Sequence, residues 1–355
     1  MRPWPSGVFN VSYQKDSAIV RTKTQWTLFI AVAAVLLALP LILDGDEVLL
    51  HLLNYIGITI ITVLGLNILM GFCGQISLGQ SAFVGIGAYT TGILAARFSF
   101  PWYLTLVASL AAASVWGIIF GFPALRIKGF YLVMSTIASQ MAFDFLVVHR
   151  PMSRYSGGIN GLTVPDLNIS GVDFDTQFKL FYLIMPLTVL AIFCAKNVAR
   201  TKLGRSFQAV RDNDLAAQSM GVNLARTKLL AFLICALYAG LAGWLMAYFY
   251  RFVGATSFGL VPSIWFLSML IVGGMGSTTG AIFGAVLWRL VEFVIGQSST
   301  ALSSVVPASS ASGLFSVGPL FFAVLIVVTM VSDPRGLAHR WEVFKSWYRL
   351  WPFPY

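Results

Sequence analysis

Long apolar runs separated by short polar stretches set the pattern of this chain. Ten runs, at about residues 26–43, 48–70, 73–96, 101–122, 130–148, 179–195, 229–250, 262–275, 280–296 and 314–331, read as membrane-spanning helices. Several reach the roughly 20 apolar residues needed to cross about 30 Å of hydrocarbon. The pattern predicts an all-α polytopic membrane protein, with a polar segment at 1–25, a transmembrane domain at 26–331 and a tail at 332–355. The first run is read as a retained span, because its polar leader is long and no small-residue cleavage site stands out.

Glycine interrupts the apolar pattern twice. After Asn67 the chain reads ILMGFCGQISLGQSAFVGIGAYTTGILAARF. Gly71, Gly74, Gly79, Gly85, Gly87 and Gly92 would cost a water-exposed helix roughly 6 kcal/mol relative to alanine, at about 1 kcal/mol each. Two explanations stand side by side. Small residues let membrane helices approach closely; alternatively, the helix is discontinuous, and its freed backbone groups line a hydrated cavity with Gln75, Ser77, Gln80 and Ser81. Further on, IVGGMGSTTGAIFGA spaces Gly276, Gly280 and Gly284 by four. Aligned without gaps, GQSAFVGIGA from Gly79 and GSTTGAIFGA from Gly276 share glycine at the first and ninth positions and alanine at the tenth. Their places, in the third span and across the eighth and ninth, predict two five-span halves arranged as inverted repeats with broken helices.

Polar residues inside the spans are few and patterned. Thr136, Gln140 and Asp144 recur every four residues and share one helix face, which should meet protein or water. Arg289 and Glu292, three apart, can pair. Gly117 and Gly121 form a GxxxG packing face.

The chain is 58% hydrophobic and only 10% charged, yet carries a net charge of +10. With the N-terminus in the cytoplasm, the ten spans place 17 of the 23 Lys and Arg inside but 5 of the 13 Asp and Glu. The inside balance is +12 and the outside balance −1, as the positive-inside rule demands. The basic charge therefore marks a cytoplasmic face near anionic lipid and calls for no nucleic acid. In the tail, Arg340, Lys345 and Arg349 alternate with Trp341, Phe344, Trp347, Tyr348 and Trp351, as in an amphipathic helix lying on a membrane surface.

One polar island, KNVARTKLGRSFQAVRDNDLAAQSMGVNLARTK at residues 196–228, lies between apolar runs and reads as a water-exposed cytoplasmic loop. Within it, Asp212, Asn213 or Asp214 can cap a short helix carrying Ala216, Ala217 and Met220 on one side, and Gly221 ends it. On the other side of the membrane, residues 149–179 form the largest external loop, long enough to be ordered and to meet a partner.

Several chemistries find no support. There is no G-x-x-x-x-G-K-[S/T] phosphate loop and no local signature of a nucleophilic triad. Cys73, Cys194 and Cys235 are scattered, as are His51, His149 and His339, so neither disulfide nor metal site is expected. No cofactor is called for, and the chain is read as a pore subunit, not an enzyme. An autonomous carrier would have to rely on Asp144 or Glu292.

The island resembles the cytoplasmic coupling segment of ABC importer permeases, whose motif runs Glu-Ala-Ala-x-x-x-Gly. Ala216, Ala217 and Gly221 match it, with Leu215 at the glutamate position and Asp214 one residue earlier. From about 48 to 337 the chain resembles the branched-chain amino-acid ABC importer permease family, the LivM-like subunit in particular. The resemblance rests on LGLNILMGFCGQISLGQSAFVGIGAY, LRIKGFYLVMSTIA, SGGINGLT, LGRSFQAVRDNDLAAQSMG and VGGMGSTTGAIFGA. It implies a bacterial inner-membrane protein with both termini cytoplasmic, paired with a second, LivH-like permease. Two cytoplasmic ATP-binding subunits and an external solute-binding protein complete the implied importer, whose cargo is branched-chain or related amino acids, or else urea, short amides or aromatic acids. The ATPase contact is expected at Arg211, Asp214, Ala216, Ala217, Met220 and Gly221. The substrate path is expected along Gln75, Ser77, Gly79, Gln80, Gly274, Gly276, Ser277 and Thr278.

Overall fold

In a computed structural model, the structure describes residues 46–127, 129–149, 153–169, 171–303 and 335–350, with residue 27, residues 38–42 and isolated positions between 323 and 333. The segment 1–25 and most of the expected spans at 26–43 and 314–331 lie outside the described residues. The other eight expected spans are helices: α1 (Glu47–Leu66), α2 (Gln80–Phe98), α3 (Trp102–Gly121), α4 (Phe130–Val148), α5 (Gln177–Arg200), α8 (Leu224–Tyr250), α9 (Leu260–Gly273) and α10 (Thr278–Ser303). Between α5 and α8 lie α6 (Lys202–Asp212) and α7 (Asp214–Ser219), and α11 (Leu337–Leu350) follows α10 in the described chain. Among the described residues, seven segments are long and apolar enough to cross a membrane. The protein is an all-α polytopic membrane protein.

Helix α8 is the central post, packed against α1, α2 and α3, while α1 also packs on α5 and α10. Small residues make this possible. A Cβ on Gly87 of α2 would lie 2.9 Å from the Cα of Gly240 on α8, so any side chain there would push the helices apart. Ser109 of α3 closes the junction by donating to the carbonyls of both Gly87 (3.1 Å) and Gly240 (2.9 Å). Gly117 and Gly121 face α8 in the same way, meeting Ala236 and Phe232. The other side of α3 leaves Val107, Val115, Ile119 and Phe122 exposed, as a lipid-facing surface requires.

The glycine-rich stretch after Asn67 divides in two. Helix α1 widens into a π-helical turn at Asn67–Phe72, and regular helix resumes only at Gln80. The expected third span therefore begins seven residues later than its apolar run, because Gly74 adopts φ +69° and the chain from 73 to 79 makes no helix. Gly71, Gly74 and Gly79 belong to this break. Gly85, Gly87 and Gly92 lie inside α2 and serve close packing, with Gly85 seated against the Phe143 ring. A second break separates α9 from α10, with Gly274 at φ +113° and Gly276 at φ +83°.

The polar island is not a loop around one short helix. Arg200 ends α5, and α6 follows at once with Gly204, Phe207 and Val210 turned inward. In the expected external loop, the described residues 153–169 and 171–176 contribute to two short antiparallel ladders. Leu162–Thr163 (β1) pairs antiparallel with Phe252–Val253 (β4), and Asn168–Ile169 (β2) with Val172–Asp173 (β3).

Candidate functional site

The two breaks meet, and the polar island is stitched to both. The Asn67 side chain, fully buried in the π-turn, accepts from the Gly276 N–H (3.0 Å) and donates to the Ser277 carbonyl (3.2 Å). One amide thus satisfies a donor and an acceptor that the second break has released from helix pairing. From α6, Arg211 Nη1 donates to the Gly71 carbonyl at 2.9 Å. Its aliphatic stem lies over Gly74, where a Cβ would fall 2.8 Å from Arg211 Cγ. A Cβ on Gly276 would lie 3.0 Å from the same Nη1. Arg211 therefore reaches toward the breaks while its side chain stays partly exposed beside Asp212.

Other expected path residues are mostly tied into this frame. Gln80 donates to the Thr62 carbonyl (3.1 Å) and accepts from Cys235 Sγ (3.1 Å); Gln75 donates to the Cys73 carbonyl (3.2 Å). Ser77 accepts from the Gly79 N–H (3.3 Å), and the Leu78 N–H is held by Thr136 of α4 (3.0 Å). Ser277 caps α10 by accepting from the Gly280 N–H at 2.8 Å, and Gly273, Gly280 and Gly284 zip α9 to α10. Thr278 opens α10 and Gly274 lies against Arg335 and Ala338. Gln75, Ser77, Gly79 and Gln80 are buried, while Gly276, Ser277 and Thr278 are partly open.

Helix α7 is built from its caps. Asn213 accepts from the N–H groups of Leu215 (3.0 Å) and Ala216 (3.1 Å). At the other end Gly221, at φ +85°, closes a Schellman turn in which Val222 N–H reaches the Ala217 carbonyl and Gly221 N–H the Gln218 carbonyl. The expected one-sided grouping of Ala216, Ala217 and Met220 does not hold. Ala217 points into the core, whereas Ala216 and Met220 face outward, because successive residues on a helix lie about 100° apart. Leu215, 73% exposed, and Met220, 85% exposed, form the outer apolar tip. Asp214 turns back to Lys228 at the start of α8 (3.1 Å), whose side chain is only 2% exposed. A cavity of about 330 Å³ lies between α7 and the first break, lined by Gln75, Leu132, Arg211, Asp214 and Lys228 among others.

The polar residues that the sequence singles out in α4 and α10 meet protein partners. Gln140 donates to the Phe258 carbonyl and to Asp144 (3.3 Å), and Ser263 donates to Gln140 (3.4 Å). Arg289 pairs with Glu292, donates to Thr59 (2.9 Å) and stacks 3.6 Å above the Tyr55 ring. Among the described residues no group of His, Cys, Asp and Glu could hold a metal.

Asn67, Lys228 and Ser263 were not singled out by the pattern of the sequence. An amide within an apolar run is the one local hint for Asn67. Its partner at 277 lies 210 residues away, where no periodicity reaches.

Broken helices, glycine-sealed packing and a basic helical segment docked on the breaks define a multi-pass membrane permease. The family model for the branched-chain amino acid transport system permease component matches residues 48–330, and the chain belongs to that family. LivM of Escherichia coli K12, a high-affinity branched-chain amino acid transport permease, is 32% identical over 255 residues, covering 65% of this chain and 59% of its own. A probable branched-chain amino acid permease LivH of Methanocaldococcus jannaschii is 24% identical over 301 residues, covering 82% and 92%. The fructose import permease FrcC of Rhizobium meliloti is 26% identical over 223 residues, covering 60% and 61%. The chain thus spans about 59% of the length of the LivM protein it matches. No solved structure matches.

Proposed function

We propose that this chain is the membrane-spanning subunit of an ATP-driven importer for branched-chain or related amino acids. The observation that carries the reading is the stitch itself: Arg211, within the segment that resembles a coupling region, binds the carbonyl of Gly71 beside the point where both helix breaks meet. Movement imposed on α6 and α7 would reach the breaks directly. One of two ATP-binding subunits would seat on the Leu215–Met220 tip, with Asp214 and Ala217 as internal supports, Arg211 as the link to the breaks and Ala216 and Gly221 as the tip's frame. A second, LivH-like permease completes the pore, and an external solute-binding protein delivers the substrate. The basic segments at 196–228 and 332–355 then lie in the cytoplasm of a bacterial inner membrane. The names of LivM and LivH supply the cargo class.

The test is purification of the chain with its associated subunits, reconstitution into liposomes and measurement of L-leucine uptake. Uptake that requires ATP and the co-purified ATPases supports the proposal. Uptake by the chain alone, driven by an ion gradient, overturns it.

A further inference from the structure

A cavity of about 480 Å³ opens among α1, α2, α8 and α9, away from the breaks. Its walls are largely apolar and aromatic, from Val84, Tyr250, Val261, Trp265 and Phe266. Two polar groups on the wall stand out. Ser81, 1% exposed, gives its backbone N–H to Ser263, but its buried hydroxyl has no hydrogen-bond partner. Arg289, 3% exposed, spends Nη1 on Glu292 and Nε on Thr59, and its Nη2 has no protein acceptor among the described residues. Orphaned buried polar groups are uncommon, and a ligand is one reason for keeping them. An arginine within a membrane span is itself a functional-site signal.

We infer that this cavity binds a small carboxylate bearing an apolar side chain. The carboxylate takes a charge-assisted hydrogen bond from Arg289 Nη2 and a second from the Ser81 hydroxyl, and the side chain lies among the aromatic and aliphatic walls. No carboxylate side chain lines the cavity among the described residues, so the site recognises the acid group and not an ammonium. Glu292 lines an adjoining cavity with His51 and Gln177, which shares only Tyr55 and Arg289 with this one. A 2-oxo acid should therefore bind about as well as the matching amino acid, whereas the amine lacking the acid should not. This inference gives the proposed importer an internal binding station and rests on that reading for its role, but not for the binding itself.

The test uses the full chain in lipid nanodiscs without ATPases, titrated by saturation-transfer NMR with L-leucine, 4-methyl-2-oxopentanoate and isoamylamine. Binding of the two acids within about three-fold of each other, and of the amine at least ten-fold more weakly, supports the site. Ser81→Ala should weaken both acids roughly ten-fold, the loss expected of one hydrogen bond to a charged group. Val261→Trp, which fills the cavity from a part-exposed position, should abolish binding even if an Arg289 variant fails to fold. Equal binding of the amine, or acid binding unchanged in both Ser81→Ala and Val261→Trp, overturns the inference. ATP-driven uptake with no acid binding would sink this site and spare the importer; acid binding without ATP-driven uptake would do the reverse.

Discussion

Replacing Asn67 with leucine tests whether one side chain joins the two helix breaks. The substitution keeps the forked outline, though leucine is bulkier, and removes the acceptor for the Gly276 N–H and the donor for the Ser277 carbonyl. Leaving a fully buried polar group unpaired costs about 1–3 kcal/mol. Gly276 and Ser277 are only partly buried, however, and cross-helix hydrogen bonds in membrane proteins average about 0.6 kcal/mol. Both considerations favour the low end, about 1–2 kcal/mol for the pair. Thr62→Val is the matched control, since its hydroxyl donates only to Ile58 within the same helix; its loss should cost no more than about 0.5 kcal/mol. Unfolding by increasing SDS in mixed micelles, followed by tryptophan fluorescence, measures both. ATP-driven uptake by the reconstituted importer should fall with Asn67→Leu and persist with Thr62→Val. Equal stability losses in the two variants, with uptake intact in both, would refute the assignment of Asn67 as the link.

Three further outcomes are expected. Leu215→Glu combined with Met220→Glu should leave unfolding within about 0.5 kcal/mol of wild type, since both side chains are exposed, while ATPase subunits no longer co-purify. Retained co-purification would remove the tip from the docking surface. Asp214→Asn strands the Lys228 ammonium and should destabilise the chain by about 3 kcal/mol, with Lys228→Met in the same chain restoring most of it; strictly additive losses in the double variant would show that the two do not interact. Gly240→Leu must displace Ala113 and the Ser109 carbonyl and should prevent accumulation of folded protein in the membrane, read by gel filtration of the detergent extract; a monodisperse, normally abundant variant would contradict the packing described at that junction.

What the sequence could show followed from local signals. Apolar run length locates eight described helices because the bilayer sets a minimum span that no water-soluble loop mimics. Glycine content flags both breaks, but cannot divide breaking from packing. Gly74 and Gly85 look alike on paper, and only their surroundings differ: an arginine stem and a positive φ for one, a phenylalanine ring for the other. The short helix at Asp214–Ser219 was legible in its Asn213 cap and Gly221 stop, but its orientation was not. Two adjacent alanines face opposite ways there, since Val222 and the core claim Ala217. Helix α6 escaped notice because its inward face consists of Gly204, Phe207 and Val210, too few apolar positions to outweigh three basic residues. The inward reach of Arg211 was illegible for another reason: its partner carbonyl lies 140 residues away, in a turn whose geometry is itself unusual.

In the proposed importer these placements divide the mechanical labour between a stiff post and two compliant breaks. Helix α8 runs unbroken for 27 residues, about 40 Å at 1.5 Å per residue, from Leu224 in the polar island to Tyr250 on the wall of the larger aromatic cavity. Its glycine contacts with α2 and α3 leave no slack, so bending it would break several close contacts at once, whereas the two breaks already lack regular helical hydrogen bonds. A load entering through α7 thus has two routes: the Asp214–Lys228 pair into a stiff post, and Arg211 into a compliant joint. Removing only the second route, by Arg211→Ala, should leave subunit docking intact yet uncouple ATP hydrolysis from uptake, because the post alone would move as a rigid body with its neighbours. Tight coupling in that variant would shift the burden to α8 and make the arginine merely a fastening.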